Sequence, residues 1–463
     1  MLIQNGTIIT DKSSIKADLR IKDGIITEIA ANLIPESNEE IVNAGGMLVM
    51  PGGIDVHTHM DLDVGIARAT DDFYTGTVAA ACGGTTTIVD HLAFGPEGCS
   101  IRHQLDHYHT LAEGKAVIDY SFHGVIGHVD DAILKEVEEL VGEGITSHKF
   151  YLTYGQKLTD REFFLLMRKA KELGIMLTVH PENHDMVGCL KELLIEQGKT
   201  SPIYHAVSHP VESEAEAINR LILFAHVADD APLYIVHLSC EMGLDYIRQA
   251  RQRGQKNLFA ETCPQYLVLD ESRYREPGDA GLKYIMSPPL RTTKDNQALW
   301  LGLQDGSIQT VATDHCPFFL KGEKQLGKDN FAKTPNGAPG VEPRMALLFS
   351  EGVSAGRIDA QRYVEITSTN PAKLFGLYPR KGTLEKGSDG DILIVDPSVE
   401  LTLTHGMLHE NVDYTPYEGI SLRGYPYMTI SRGKIVAKEG CFLGEKGSGK
   451  FIKRNLPILR NIR

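Results

Sequence analysis

The sequence predicts an α/β protein: a TIM-like (β/α)8 barrel carrying a β-sandwich built from both chain ends. Between Pro51 and about residue 378, apolar strand-like runs alternate with helical patterns, the texture of parallel βα units. The strand candidates in that span number eight, which suggests closure into a barrel. The first fifty residues and the stretch after Gly382 instead hold short β-prone runs divided by turn signals.

The amino-terminal runs are Gly6-Thr7-Ile8-Ile9, Leu19 to Gly24 and Ile25 to Ile29, which read as hairpins. The barrel strands are expected at Ile54 to His57, Thr86 to Asp90, Val117 to Phe122, Ser147 to Tyr151, Met176 to His180, Leu233 to His237, Leu258 to Glu261 and Thr310 to Asp314. Among the helices, Phe163, Leu166, Met167, Ala170 and Leu173 step by three and four along one face, with Gly174 placed to terminate. Ile218, Leu221, Ile222 and Ala225 mark a second. Strands return at Asp391 to Asp396 and Met428 to Val436. The simplest organisation is therefore a β-sandwich of residues 1–50 and 379–445, a catalytic barrel of 51–378, and a tail of 446–463. That tail carries six Lys/Arg and no Asp/Glu, and is expected to pack on an acidic neighbouring subunit.

A formal charge of −14 argues against a nucleic-acid or anionic-membrane partner, because a phosphate-binding surface needs positive potential. A small neutral or polar ligand fits better. Seven cysteines without C-x-x-C spacing fit a reducing compartment. The start Met1-Leu2-Ile3-Gln4 lacks a basic leader, and no run approaches the roughly 20 apolar residues of a membrane span. The expected location is cytoplasmic.

Sites in such barrels lie at the carboxyl ends of the strands. Strand one ends in His57-Thr58-His59, with both imidazoles on one side of an extended segment. Strand four carries Lys149, strand five ends in His180, strand six in His237, and strand eight in Asp314 followed by His315. Imidazole with carboxylate is the ligand set of zinc, manganese and similar divalent ions. Taken singly, each residue also fits an ordinary role: a hydrogen-bonded core histidine, or a lysine paired with Asp90. Together at strand ends they are hard to explain by packing. Two cations and burial both disfavour an ammonium at Lys149. The neutral amine can take up carbon dioxide, and the resulting carbamate has two oxygens able to bridge two metals.

These residues stand in the order that resembles the cyclic amidohydrolases of the D-hydantoinase and dihydropyrimidinase group, within the amidohydrolase superfamily. Further segments resemble that group: Pro51 to His59, Asp71 to Thr77, Gly83 to Thr87, His180-Pro181-Glu182-Asn183, Glu261 to Tyr266, Ser287 to Arg291, Thr313 to Cys316 and Asn336 to Glu342. The resemblance covers about residues 1 to 440 and looks strongest toward the bacterial phenylhydantoinases. It implies His57, His59, Asp314 and N6-carboxylated Lys149 on one metal, with His180, His237 and the second carbamate oxygen on another, and a hydroxide between them. It implies Asp314 as proton shuttle, Tyr154 as donor to the oxyanion, and Ser287 and Asn336 at the cyclic amide, mainly through backbone groups. Zinc is the expected metal, with manganese as the alternative, no organic cofactor is implied, and a homotetramer is expected. The implied reaction opens a 5-substituted hydantoin, or a dihydropyrimidine, to an N-carbamoyl amino acid.

The loop Met60 to Arg68 departs from many relatives, which place a proline and an aromatic there. With Leu92 to Gly98 and Leu152 to Leu158 it is expected to face the exocyclic group of the substrate, and Arg68 and His91 are further candidates for that pocket. Dihydroorotases generally hold a substrate carboxylate with an arginine two positions after the H-x-H, where this chain has Asp61. Allantoinases usually show a Glu-Pro-Gly that is missing here. Related scaffold proteins lack the metal ligands, whereas all six positions are filled.

Overall fold

The computed structural model describes residues 1–463. Eight parallel strands, Gly53–Thr58, Thr85–His91, Asp119–Val125, Ser147–Tyr151, Met176–His180, Leu233–Ile235, Leu258–Thr262 and Thr310–Val311, pair in chain order, each with the next. The ring closes beyond the regular ladder. The Asp314 N–H donates to the His57 carbonyl at 2.8 Å and the His59 N–H to the His315 carbonyl at 3.0 Å, with a bridge between Thr58 and His315. Every residue of these strands is buried, as expected of a parallel sheet covered on both faces.

Strands six and eight end earlier than the apolar runs suggest, before His237 and Asp314. The reason is backbone conformation: His237 has φ 39° and Asp314 φ 55°, left-handed values that interrupt a ladder. Strand three is displaced the other way, beginning at Asp119 and running to Val125.

The helix Asp160–Leu173 opens with a Thr159–Glu162 capping box and stops at Gly174, φ 69°, a left-handed position glycine adopts without penalty. It buries Phe163, Leu166, Met167 and Ala170. The helix Val211–Val227 buries Ile218, Leu221, Ile222 and Ala225.

Both chain ends build the second layer. One seven-stranded sheet joins Thr7–Ile9, Ser14–Lys16 and Leu48–Pro51 to Ile392–Thr402, Ser421–Ser431, Lys434–Lys438 and Cys441–Phe442. Leu48–Pro51 runs antiparallel to Ile392–Val395 at the seam. A four-stranded sheet of Leu2–Gln4, Asp18–Lys22, Ile25–Ala30 and Ile41–Asn43 shares an apolar cluster with it that includes Ile3, Leu19, Val49, Ile392 and Ile430. Lys381 ties this layer to the barrel. Its buried ammonium lies 2.8 Å from Asp119 and 3.1 Å from Asp389, and also meets Asp391.

The basic tail, expected against a neighbouring subunit, lies on its own barrel. The Tyr120 N–H donates to the Lys450 carbonyl at 3.0 Å, and the Ile452 N–H to the Tyr120 carbonyl at 2.7 Å. Arg454 is buried across the amino ends of strands three and four. It donates to Ser121 Oγ at 2.9 Å and Ser147 Oγ at 2.8 Å, and to the Phe122 carbonyl. Burial, opposed by no facing carboxylate, draws its guanidinium down to about 9. Arg454→Ala strips these acceptors of a donor, and a buried unsatisfied polar group costs about 1–3 kcal/mol. The expected result in calorimetry is a lower unfolding temperature with activity retained at room temperature.

Candidate active site

The carboxyl ends of the strands open into a cavity of about 940 Å³ lined by His59, Lys149, His180, His237 and Asp314 together with Tyr154, Ser287 and Asn336. Strand alternation sets His57 and His59 on one side. His57 Nε2 is 2.8 Å from Lys149 Nζ and 3.0 Å from Asp314 Oδ1, and His59 Nε2 is 3.1 Å from the same oxygen. The second cluster is His180 Nδ1 with His237 Nε2, 2.8 Å apart. The His57 and His237 rings stack at 5.6 Å, bringing the two clusters side by side. All six candidate ligands therefore converge.

Burial lowers His59 to about 4 and His237 well below its ordinary value, so both are neutral imidazoles with a lone pair to give. Burial likewise draws Lys149 down to about 8, against the pull of Asp314 and Glu261. Burial pushes the Asp314 carboxyl up, but His57 and His59 outweigh it and hold the group well below the usual carboxylate range. Ring nitrogens that face each other at 2.8 Å, beside an amine and a carboxylate, form a donor set suited to divalent cations.

Carboxylates missed by the sequence reading hold these ligands from behind. His57 Nδ1 donates to Glu261 Oε1 at 2.6 Å, and the same carboxylate accepts from the Tyr234 hydroxyl at 2.8 Å. His180 Nε2 lies 2.8 Å from Glu182 Oε2. Such partners fix the tautomer of a ligating imidazole. Glu261 ends the seventh predicted strand and Glu182 follows His180 by two, so both were in view without a role. Asp90 accepts from Thr58 Oγ1 at 2.6 Å and the Met60 N–H at 3.0 Å, which engages it with the loop after strand one rather than with Lys149.

His91 is not in the cavity wall. It is buried beside the H-x-H, 4.5 Å from the His57 ring, and stacks on His123 at 4.3 Å. His315 turns away to Asp71, 3.0 Å from its Nε2. Arg68 stands at the rim, more than half exposed and 3.7 Å from Asp63.

Tyr154 has φ 71° and its ring is 5.1 Å from that of His180. The residue is 38% exposed, and burial pushes its phenol's pKa upward, with Ser287 and Asn336 acting weakly the other way. Asn336 Nδ2 donates to Ser287 Oγ at 3.0 Å. Leu62, Val64 and Ile66, then Phe94, then Gln156 bring the three loops named above to the cavity. A separate convergence of Cys82, Glu342 and His409 is occupied within itself, since Glu342 accepts from His409 Nδ1 at 2.9 Å and from its main-chain N–H.

The Amidohydrolase family model matches residues 48–436. The D-phenylhydantoinase of Escherichia coli O7:K1 is 51% identical over 454 residues, 98% of each chain. Dihydropyrimidinase from Brevibacillus agri NCHU1002 superposes with a TM-score of 0.96 at 43% identity, over 98% of this chain and 99% of that one. The L-hydantoinase from Arthrobacter aurescens gives 0.89 at 30% identity, over 98% and 99%. With its eight-stranded barrel, its second β layer and these relatives, the chain belongs to the amidohydrolase family, in the hydantoinase and dihydropyrimidinase group, and is a hydrolase of cyclic amides.

Proposed function

We propose that the enzyme opens 5-substituted hydantoins, or dihydropyrimidines, to N-carbamoyl amino acids at a two-metal site in which Lys149 is N6-carboxylated. The observation that carries this is the convergence of four imidazoles, Asp314 and a buried lysine on one cavity. His57, His59, Asp314 and the Lys149 carbamate would hold one cation, and His180, His237 and the same carbamate the second, zinc in both places. When bound, such cations would lower the pKa of a coordinated water and polarise the scissile carbonyl.

The residues supply the rest. Drawn down to about 8, the Lys149 amine is partly neutral near pH 7. It adds to carbon dioxide, forming an N–C bond and losing one proton. Asp314 takes the proton of the attacking water and returns it to the leaving ring nitrogen. Tyr154, kept protonated, donates to the oxyanion, and Ser287 and Asn336 hold the cyclic amide mainly through their backbone. Asp61, where a dihydroorotase would have its arginine, supports a ring without a carboxylate. A homotetramer in the cytoplasm completes the reading.

Glu261→Gln removes the charge that orients His57. The expected loss of metal affinity is about 10–100-fold, read as metal content after dialysis against a graded chelator.

The test of function is hydrolysis of racemic 5-phenylhydantoin by metal-replete enzyme, with chiral analysis of the product and dihydrouracil run alongside. Rapid opening to the D-carbamoyl amino acid is expected. No turnover of either ring, by protein holding two metals per chain, would overturn this choice of substrate.

A further inference from the structure

Lys324 is a fully buried lysine with no carboxylate partner. It sits in the short 3-10 turn Glu323–Gly327, and its ammonium donates to three main-chain carbonyls, Ile285 at 2.8 Å, Pro335 at 2.8 Å and Gly337 at 2.7 Å. The Phe318 ring lies 5.7 Å away. A buried charge is costly unless its hydrogen bonds are met. Burial draws this amine down to about 7, with the Cys316 thiol pulling weakly the other way. The three carbonyl dipoles favour the charged form, whose three N–H groups match three acceptors one to one.

The identity of those acceptors gives the lysine its meaning. Ile285 precedes Ser287 by two residues, and Pro335 and Gly337 flank Asn336. The two segments otherwise meet through the Gly337 N–H on the Ile285 carbonyl, 3.1 Å, and through the Asn336 and Ser287 side chains. Hydrogen bonds strung along one seam leave the segments free to hinge about it. A single tetrahedral nitrogen bonded to three oxygens on both segments removes that freedom. Gly337 packs closely there, since at φ 145° a Cβ would stand 2.3 Å from the Cys316 carbonyl and no larger residue fits without displacing the segment.

We propose that Lys324 is a positioning residue for substrate binding: from outside the cavity its ammonium fastens the Ile285–Ser287 and Pro335–Gly337 segments at the spacing with which they grip the cyclic amide. This rests on the reading of Ser287 and Asn336 as substrate contacts and goes beyond it by assigning what sets their geometry.

Lys324→Met keeps the length and apolar stem but offers no donor; Lys324→Gln keeps two N–H groups and no charge. With metal content per chain unchanged, KM for the ring is expected to rise about 10-fold or more in the methionine variant and by less in the glutamine variant, while kcat falls by a smaller factor. A purely structural role would lower the unfolding temperature and leave KM alone. Gly337→Ala, which displaces the same segment with Lys324 intact, separates the two ways of failing. If it raises KM while both Lys324 variants keep the parental value, the positioning role is overturned. If all three keep it, the assignment of Ser287 and Asn336 falls as well. Should the methionine variant not fold, the glutamine variant decides by the same KM comparison.

Discussion

Lys149→Ala is expected to lose bound metal and hydrolytic activity together while the protein stays folded. Lys149 is 1% exposed and is the one aliphatic amine among the six candidate ligands. Without a carbamate there, Asp314 is the only carboxylate among them, and two divalent cations would face four imidazoles and a single negative charge. Metal content should fall from two per chain toward none, and kcat/KM by about 10³-fold or more, since both the activated water and the polarised carbonyl are lost. Truncation leaves space inside the cavity, which a small carboxylic acid in the medium can enter to stand in for the carbamate. Partial recovery of metal and turnover with added acetate or propionate is the expected signature. Elemental analysis and a hydantoin assay, each with and without the acid, check it. Full activity in the unrescued variant would remove the carbamate from the mechanism.

The second large effect is at Asp314. Asp314→Ala should cost activity far more than fold, and Asp314→Asn makes the cleaner comparison. Residue 314 has φ 55°, a left-handed conformation that asparagine adopts more readily than alanine. The asparagine variant therefore preserves the backbone while removing the proton acceptor. A lost general acid and base costs typically about 10²–10⁴-fold in rate, and kcat is expected to drop by that order with the unfolding temperature little changed. Normal turnover by either variant would show that the proton travels by another group.

The barrel was legible because parallel strands buried on both faces leave continuous apolar runs in the chain. The convergence of the six candidate ligands was legible because such barrels place chemistry at strand ends. Where the reading of strand ends failed, at His237 and Asp314, the cause is a backbone angle that leaves no trace in residue pattern. The role of Glu261 stayed hidden for a different reason: 204 positions separate it from His57, and only closure of the barrel makes them neighbours. His91 ends strand two as the candidate ligands end theirs, yet it packs between the H-x-H and His123 and does not line the cavity. In the tail, six positive charges suggested an acidic partner, but the acceptors of Arg454 are hydroxyls and carbonyls, which a count of charges does not register.

That tail also sets an order of events in time. Ser147, which accepts from Arg454, begins the strand that presents Lys149 two residues later. During synthesis all eight barrel strands leave the ribosome before the segment from Lys450 to Arg454 does. A nascent chain that has already emitted all six candidate ligands still lacks the side chain that joins Ser121 and Ser147 beneath strands three and four. The contact between Arg454 and Ser147 therefore becomes available only once translation has passed residue 454, so the last stretch of chain made closes the floor of two barrel strands laid down far earlier.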